Sequence, residues 1–242
     1  YSCNSAQSKF SQRSSRFNFA TSTTGDGFYV WNRDEGVHAN TDLYSYVHLI
    51  LADNALARQR TGARSDGAPL LKTAFHIDSY YEFFHSEGLR PSASTFVVGD
   101  VTIALARMID RAVPGQILIG DFKRGDRDGA DAFHLNTRQF IDEVQPRTSI
   151  LKGLKLSGQE VEDIRCYLTG HRLSHDTFTM RRFKLTDKHG YQRVVYNAKV
   201  NIHRRHASPI FLGLPDAELT VFEQQSDVEA MMPDSVHAVV AA

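Results

Sequence analysis

The segment running from residue 95 to 122 constrains the fold more than any other. Thr95 to Val98 is a short apolar run that ends on Gly99-Asp100, and 101–113 then places Leu105, Met108, Ile109 and Ala112 on one helical stripe. Pro114-Gly115 stops that helix, because proline cannot continue it and glycine permits a sharp turn. Gln116-Ile117-Leu118-Ile119-Gly120-Asp121-Phe122 follows with the length and apolarity of a buried strand. A strand, an amphipathic helix and a buried strand in succession predict an α/β sandwich, with helices packed on a sheet.

The remaining chain is read around this unit. Phe17 to Thr21 and Phe28 to Trp31 flank Thr23-Thr24-Gly25-Asp26-Gly27, which predicts a hairpin with one carboxylate at its tip. A tip carboxylate is an oxygen donor suited to a hard cation such as Mg²⁺. Residues 37–60 carry Leu43, Val47, Ile50 and Leu51 at helical spacing, and 61–69 form a loop that ends the helix. Residues 70–84 favour a strand, 132–144 and 157–168 helices, the second with Ser157 and Glu160 as a capping box. Asp187-Lys188-His189-Gly190, between 178–186 and 191–203, predicts a second hairpin. Four units result: a flexible start over 1–16, a catalytic-type domain over 17–144, a helix and β-hairpin extension over 145–223, and a disordered tail over 224–242.

Composition narrows the partners. Among 242 residues, Lys plus Arg equals Asp plus Glu at 28 each, so no global field selects nucleic acid or an anionic membrane, and any anionic ligand must meet a local group. Only Cys3 and Cys166 occur, without metal spacing, which fits a reducing compartment; with no apolar run of membrane-spanning length and a polar start, a cytoplasmic protein is expected. Asp126, Asp128 and Asp131 lack the closing glutamate of a calcium loop. His171 and His175 are four apart, as zinc ligands on a helix can be, but Gly170 marks a turn and no glutamate lies between them, so a polar loop is expected. His203-Arg204-Arg205-His206 is a basic cluster that could touch phosphate, and a solvated strand terminus is the expected reading.

Thr23-Thr24-Gly25-Asp26-Gly27-Phe28, then Val98-Gly99-Asp100-Val101-Thr102-Ile103-Ala104-Leu105-Ala106-Arg107-Met108, then Pro114-Gly115-Gln116-Ile117 resemble, in this order, the catalytic core of class III nucleotidyl cyclases over residues 17 to 125. The resemblance implies an α+β fold, a ferredoxin-like sandwich with a mostly antiparallel sheet and packed helices. It also implies a homodimer with active sites between subunits, and a site using two Mg²⁺ or Mn²⁺ ions. Carried over by position, Asp26 is a metal ligand and Arg107 the catalytic arginine that meets the α-phosphate. Such chemistry, in-line attack of the ribose 3′-hydroxyl on the α-phosphorus, rests on positioning and charge neutralisation.

The departures carry information. The family's asparagine, four residues before the arginine, is here Ile103, so a transition-state donor is missing or replaced. The family's first metal aspartate belongs on a strand upstream of the hairpin, and none of the 25 residues before Asp26 is acidic. The expectation is an amino-terminal truncation or a noncatalytic relative. Base choice in this family depends on the positions occupied here by Ser22 and Phe96, which fit neither the adenine pair of lysine and aspartate nor the guanine pair of glutamate and a smaller polar residue. Serine can hydrogen-bond and phenylalanine can stack, which suits a smaller ring. The pattern is similar to the pyrimidine cyclases of bacterial anti-phage (Pycsar) systems, implying that UTP or CTP becomes a cyclic second messenger. The alternatives are a cyclase-homology nucleotide-binding or regulatory module without turnover, and a diguanylate-cyclase-like domain, whose G-G-D/E-E-F turn is absent.

Overall fold

The computed structural model describes residues 18–34, 38–61, 68–86, 93–125, 134–172, 178–187, 189–223 and 227–230. The segment 1–16, the aspartates at 126, 128 and 131, and His175 lie outside the described residues.

Two short antiparallel ribbons come early: β1 (Phe19–Thr23) pairs with β2 (Phe28–Asn32), and β4 (Tyr81–Ser86) with β5 (Ala93–Val98). Between them lie the helix α1 (Ala39–Thr61) and β3 (Thr73–Phe75). Then come α2 (Asp100–Arg111), β6 (Ile117–Gly120), a ribbon of β7 (Lys123–Gly125) with β8 (His134–Asn136), and α3 (Thr137–Arg147). The carboxy-terminal half is mostly strand: β9 (Lys155–Leu156), β10 (Gln159–Leu168), β11 (Gly170–Arg172), β12 (Phe178–Thr186), β13 (Gln192–Arg204), β14 (Ala207–Leu212) and β15 (Asp227–Ala230), with the short helix α4 (Thr220–Glu223) before the last.

The expected α+β class holds, as a mixed sheet with packed helices. Its axis is β13, whose amino-terminal half is flanked by β12 and β6 and whose carboxy-terminal half by β10 and β14. Among the described strands of this sheet, β3 with β6 is the parallel pair, and the other pairings are antiparallel. On β6 all four residues are buried, because the sheet is covered on both faces. Ile117 and Ile119 face a core with Tyr44, Ala52 and Leu56 of α1 and Phe140 and Val144 of α3, where the Phe75 and Phe140 rings stack 5.3 Å apart. Leu118 faces the other way, into Met108 of α2 and Ala112 just after it, Phe183 and Leu185 of β12, Val195, and Phe222 of α4.

Buried amides lock this register. Asn197 of β13 donates from Nδ2 to Thr169 Oγ1 at 2.8 Å and to the Leu214 carbonyl at 3.2 Å, and accepts from Gln116 Nε2 at 3.2 Å. Gln116 in turn accepts the Val113 N–H at 3.0 Å, so one network ties the Pro114-Gly115 turn to the centre of the sheet. Gly213, at φ +87°, lets its loop approach closely: a Cβ there would lie 2.2 Å from the Ala198 carbonyl oxygen.

Several sequence expectations give way. The helix expected over 157–168 is strand β10, because Ser157 (φ 53°) and Gly158 (φ 84°) form the two-residue turn of a hairpin pairing Leu156 with Gln159. Positive φ at both central residues is the signature of a type I′ turn, and it takes precedence over the capping-box pattern. The capping box in this region belongs to Asn136 and Gln139, at the start of α3, while 134–136 is strand and not helix. The strand expected over 70–84 is broken into β3 and β4, and 227–230 of the expected disordered tail forms β15 against β12. Residues 145–223, expected as an extension of the domain over 17–144, supply the central strand on which β6 pairs.

Replacing Asn197 by alanine leaves Gln116 and Thr169 with buried unpaired groups, and is expected to lower unfolding free energy by about 1–3 kcal/mol by denaturant titration. The His48 imidazole, fully buried edge-on to Tyr44 at 4.1 Å with both nitrogens unpartnered, is pushed down to about 3 by burial. The unfolded chain takes up that proton first, so this residue costs stability as pH falls from the ordinary histidine value towards 3, at up to about 1.4 kcal/mol per pH unit. Melting curves across that window should lose this slope in His48→Leu.

Candidate functional site

The expected hairpin is formed by β1 and β2. Its tip is closed by the Thr24 N–H donating to the Gly27 carbonyl at 2.9 Å, with Gly25 at φ +73° as a primed turn demands. Asp26 is exposed at that tip, and Ser22, one pair below the strand end, is half-buried opposite Tyr29.

This ribbon is held to the next one by specific contacts. Arg33 Nε donates to both Glu82 carboxylate oxygens at 2.9 and 3.0 Å, and its guanidinium lies over the Phe84 ring. The Tyr80 hydroxyl donates to the Asn32 carbonyl at 2.7 Å. As a result β1 lies against β5, and the strand carrying Ser22 neighbours the strand carrying Phe96. Phe96 is 46% exposed, directly across from exposed Phe83, with Tyr81 and Val98 paired next along the same face. Such a platform of ring faces can stack a planar heterocycle.

From β5 the chain enters α2 through Gly99, at φ +139°, where a Cβ would meet Ser79 O at 2.9 Å and Tyr80 Cα at 3.0 Å. The Gly-Asp of the sequence motif is thus where the backbone passes close to the link between β3 and β4. On α2, Ile103 is exposed, while Arg107, one turn later, reaches the β12–β13 hairpin. Its Nε is 3.1 Å from Asp187 Oδ2, and its guanidinium lies 5.5 Å from the Tyr191 ring centre.

Burial alone would raise the Asp187 carboxyl, but the N–H groups of Tyr191 and His189, both donating to Oδ1, and the nearby Arg107 hold it below its ordinary value. Arg107, Met108, Arg111, Leu185, Tyr191 and Arg193 line a cavity of about 150 Å³ here.

The structure therefore puts Ser22 and Phe96 on contacting strands and engages Arg107 with a hairpin that the sequence shows only as a turn. Asp187 shows in the sequence only as a turn residue, and Tyr191, Arg111 and Arg193 carry no motif that marks them as site residues. The i, i+4 spacing of Arg107 and Arg111 was the available signal.

A second polar group lies at the ends of β3 and β6. His76 Nε2 is 3.7 Å from Asp78, and Tyr196 accepts from Arg182 Nε at 2.9 Å and donates to Asp121 at 3.3 Å. Burial, and then the nearby Arg193, lower the His76 imidazole from its ordinary value. Cys166 is buried and its thiol pushed up to about 12, which makes it inert as a nucleophile. His171 falls in strand β11 and not in the polar loop expected there, and His175 lies outside the described residues. His203-Arg204 does end β13, but Arg204 is not solvated: it is buried and donates to the Ser208 carbonyl at 2.8 Å.

As for a metal, Asp26 offers an exposed hard oxygen of the right type for one position. No set of three or more His, Cys, Asp or Glu side chains is gathered as a metal centre among the described residues. No described helix is long and apolar enough to cross a membrane. The chain has no significant match among family models, curated proteins or solved structures.

The Arg33–Glu82 fork is expected to couple the two ribbons locally. Arg33→Ala should speed amide exchange in β1, β2, β4 and β5 while lowering global stability by no more than about 1 kcal/mol.

Proposed function

We propose that the chain is the catalytic unit of a nucleotidyl cyclase that converts a nucleoside triphosphate, UTP or CTP, into a 3′,5′-cyclic nucleotide and pyrophosphate for use as a second messenger. The observation that supports it most is the packing of β1 against β5. Motif segments separated by about seventy residues of sequence fold against one another, in the order strand, glycine passage, helix and buried strand that the family resemblance requires. The class III sandwich and the homodimer, with sites shared between subunits, belong to this same reading.

Each residue has a defined task in it. Phe96 stacks the base and Ser22 hydrogen-bonds its edge, an arrangement that suits a pyrimidine, since neither purine pair is present. Asp26 contributes one carboxylate to Mg²⁺ or Mn²⁺, which when bound supplies charge neutralisation at the phosphates. Arg107 presents a planar fork of donors to the α-phosphate as negative charge develops there, and the attacking ribose hydroxyl is held in line with the departing pyrophosphate. Binding must first draw the Arg107 guanidinium from Asp187.

Two observations favour a second reading, a nucleotide-binding module without turnover. Ile103 stands where the family has an asparagine, and Arg107 is held by an internal carboxylate.

Incubation with each of the four ribonucleoside triphosphates and Mn²⁺, followed by mass analysis, decides between them. A cyclic pyrimidine nucleotide is expected, reduced at least about a hundredfold by Asp26→Ala and by Arg107→Ala. Binding of nucleotide without product supports the module, and cyclic AMP as sole product overturns the roles given to Ser22 and Phe96.

A further inference from the structure

The cleft between α2 and the β12–β13 hairpin has an imbalance of charge that the fold does not resolve. Arg107, Arg111 and Arg193 line it, and Asp187 is its one lining carboxylate, which leaves a net charge of +2 (three cations less one anion) around about 150 Å³. The whole chain is neutral, so this concentration of arginine is not a by-product of a basic composition. Arg107 and Arg111 stand one turn apart on the same face of α2, a repulsive placement.

Their engagements leave donors unused. Arg111 gives one Nη2 bond, 2.8 Å, to the Thr186 carbonyl. Arg193 has a buried Nε without a hydrogen-bond partner, and no carboxylate pairs with it among the described residues. Arg107 faces Asp187 Oδ2, yet that oxygen has no aligned hydrogen bond, so the pair is an electrostatic contact that an incoming anion can displace. Asp187 is meanwhile committed through Oδ1 to the His189 and Tyr191 N–H groups, which makes it a turn-forming residue that stays where it is. The Tyr191 ring, 66% exposed, forms one wall.

We propose that this cleft is a binding site for a phosphoryl group, received by the guanidinium groups of Arg111 and Arg193 and by Arg107 as it leaves Asp187. The ligand is a phosphate, a pyrophosphate or the terminal phosphates of a nucleotide. The cavity is below the roughly 300–1,000 Å³ of a site that encloses a whole small molecule, so any remainder of the ligand lies outside. Guanidinium forks match phosphate oxygens in planar, charge-assisted pairs, which is why arginine and not lysine suits this role. The site goes beyond the cyclase reading, shares Arg107 with it, and does not require turnover.

Calorimetric titration of the full chain with inorganic pyrophosphate, inorganic phosphate and UTP at fixed ionic strength tests it. Saturable pyrophosphate binding is expected, weakened at least about tenfold by Arg193→Gln and by Arg111→Gln, strengthened by Asp187→Asn, and unchanged by Arg165→Gln on the exposed face of β10. Melting temperatures of the variants within a few degrees of wild type exclude misfolding; if one arginine variant fails to fold, the other and the gain in Asp187→Asn still decide. Competition between UTP and pyrophosphate identifies nucleotide phosphates as the source, and independent binding identifies a separate phosphorylated ligand.

The absence of saturable binding, or binding indifferent to both arginine variants, overturns the proposal. Arginine-dependent pyrophosphate binding in a chain that makes no cyclic nucleotide upholds this site and refutes the cyclase reading alone. Cyclic nucleotide formation with no pyrophosphate binding does the reverse.

Discussion

Strand β13 is the constraint on which the rest of the structure depends. A 13-residue strand paired with β12, β6, β10 and β14 in turn cannot slip without turning its core residues out, and Ala198, Val200 and Ile202 face one core while Val195 faces the other. The Asn197 network adds a polar key to that fit, since its partners come from the Pro114-Gly115 turn, the end of β10 and the loop after β14. With β6 held in this way, the helix before it is fixed too, and so is the direction in which Arg107 points. The function proposed for the amino-terminal half thus rests on the carboxy-terminal half being in place.

Legibility from the sequence followed the strength of local signals. Helix α2 and strand β6 lie where the stripe of Leu105, Met108 and Ile109 and the Pro114-Gly115 stop predict them, because pattern and punctuation agree. The hairpins at Asp26 and Asp187 were equally open to view, each with its acid beside or near a glycine. Strand β10 was not, because Ser157 and Glu160 satisfy a helix-start pattern while the same Ser157-Gly158 dipeptide can turn a hairpin, and only pairing with β13 selects the second. The break between β3 and β4 has a similar origin: the aromatic run through Phe83 and Phe84 has strand character, but its strand belongs to a different ribbon from β3.

For the site, sequence order supplied the residues and the fold supplied their relations. Ser22 and Phe96 could be named only through the family resemblance, and their proximity needs the Arg33–Glu82 and Tyr80–Asn32 links between the ribbons. Asp187 carries only a turn motif and Arg193 none, and they matter at the site only because β12 and β13 bring them to the face of α2. A guanidinium held by a carboxylate and laid on an aromatic ring is preorganised, and it is also occupied. Under the proposed phosphoryl site, ligand binding and the release of Arg107 from Asp187 are linked at this hairpin.

What happens at the α-phosphorus of a bound nucleotide decides the proposed function. Phosphorus-31 NMR of UTP or CTP with the full chain and Mg²⁺ observes that atom directly. The cyclase reading predicts growth of a cyclic phosphodiester resonance in step with pyrophosphate; unchanged triphosphate, or conversion to diphosphate and orthophosphate without a cyclic resonance, contradicts it.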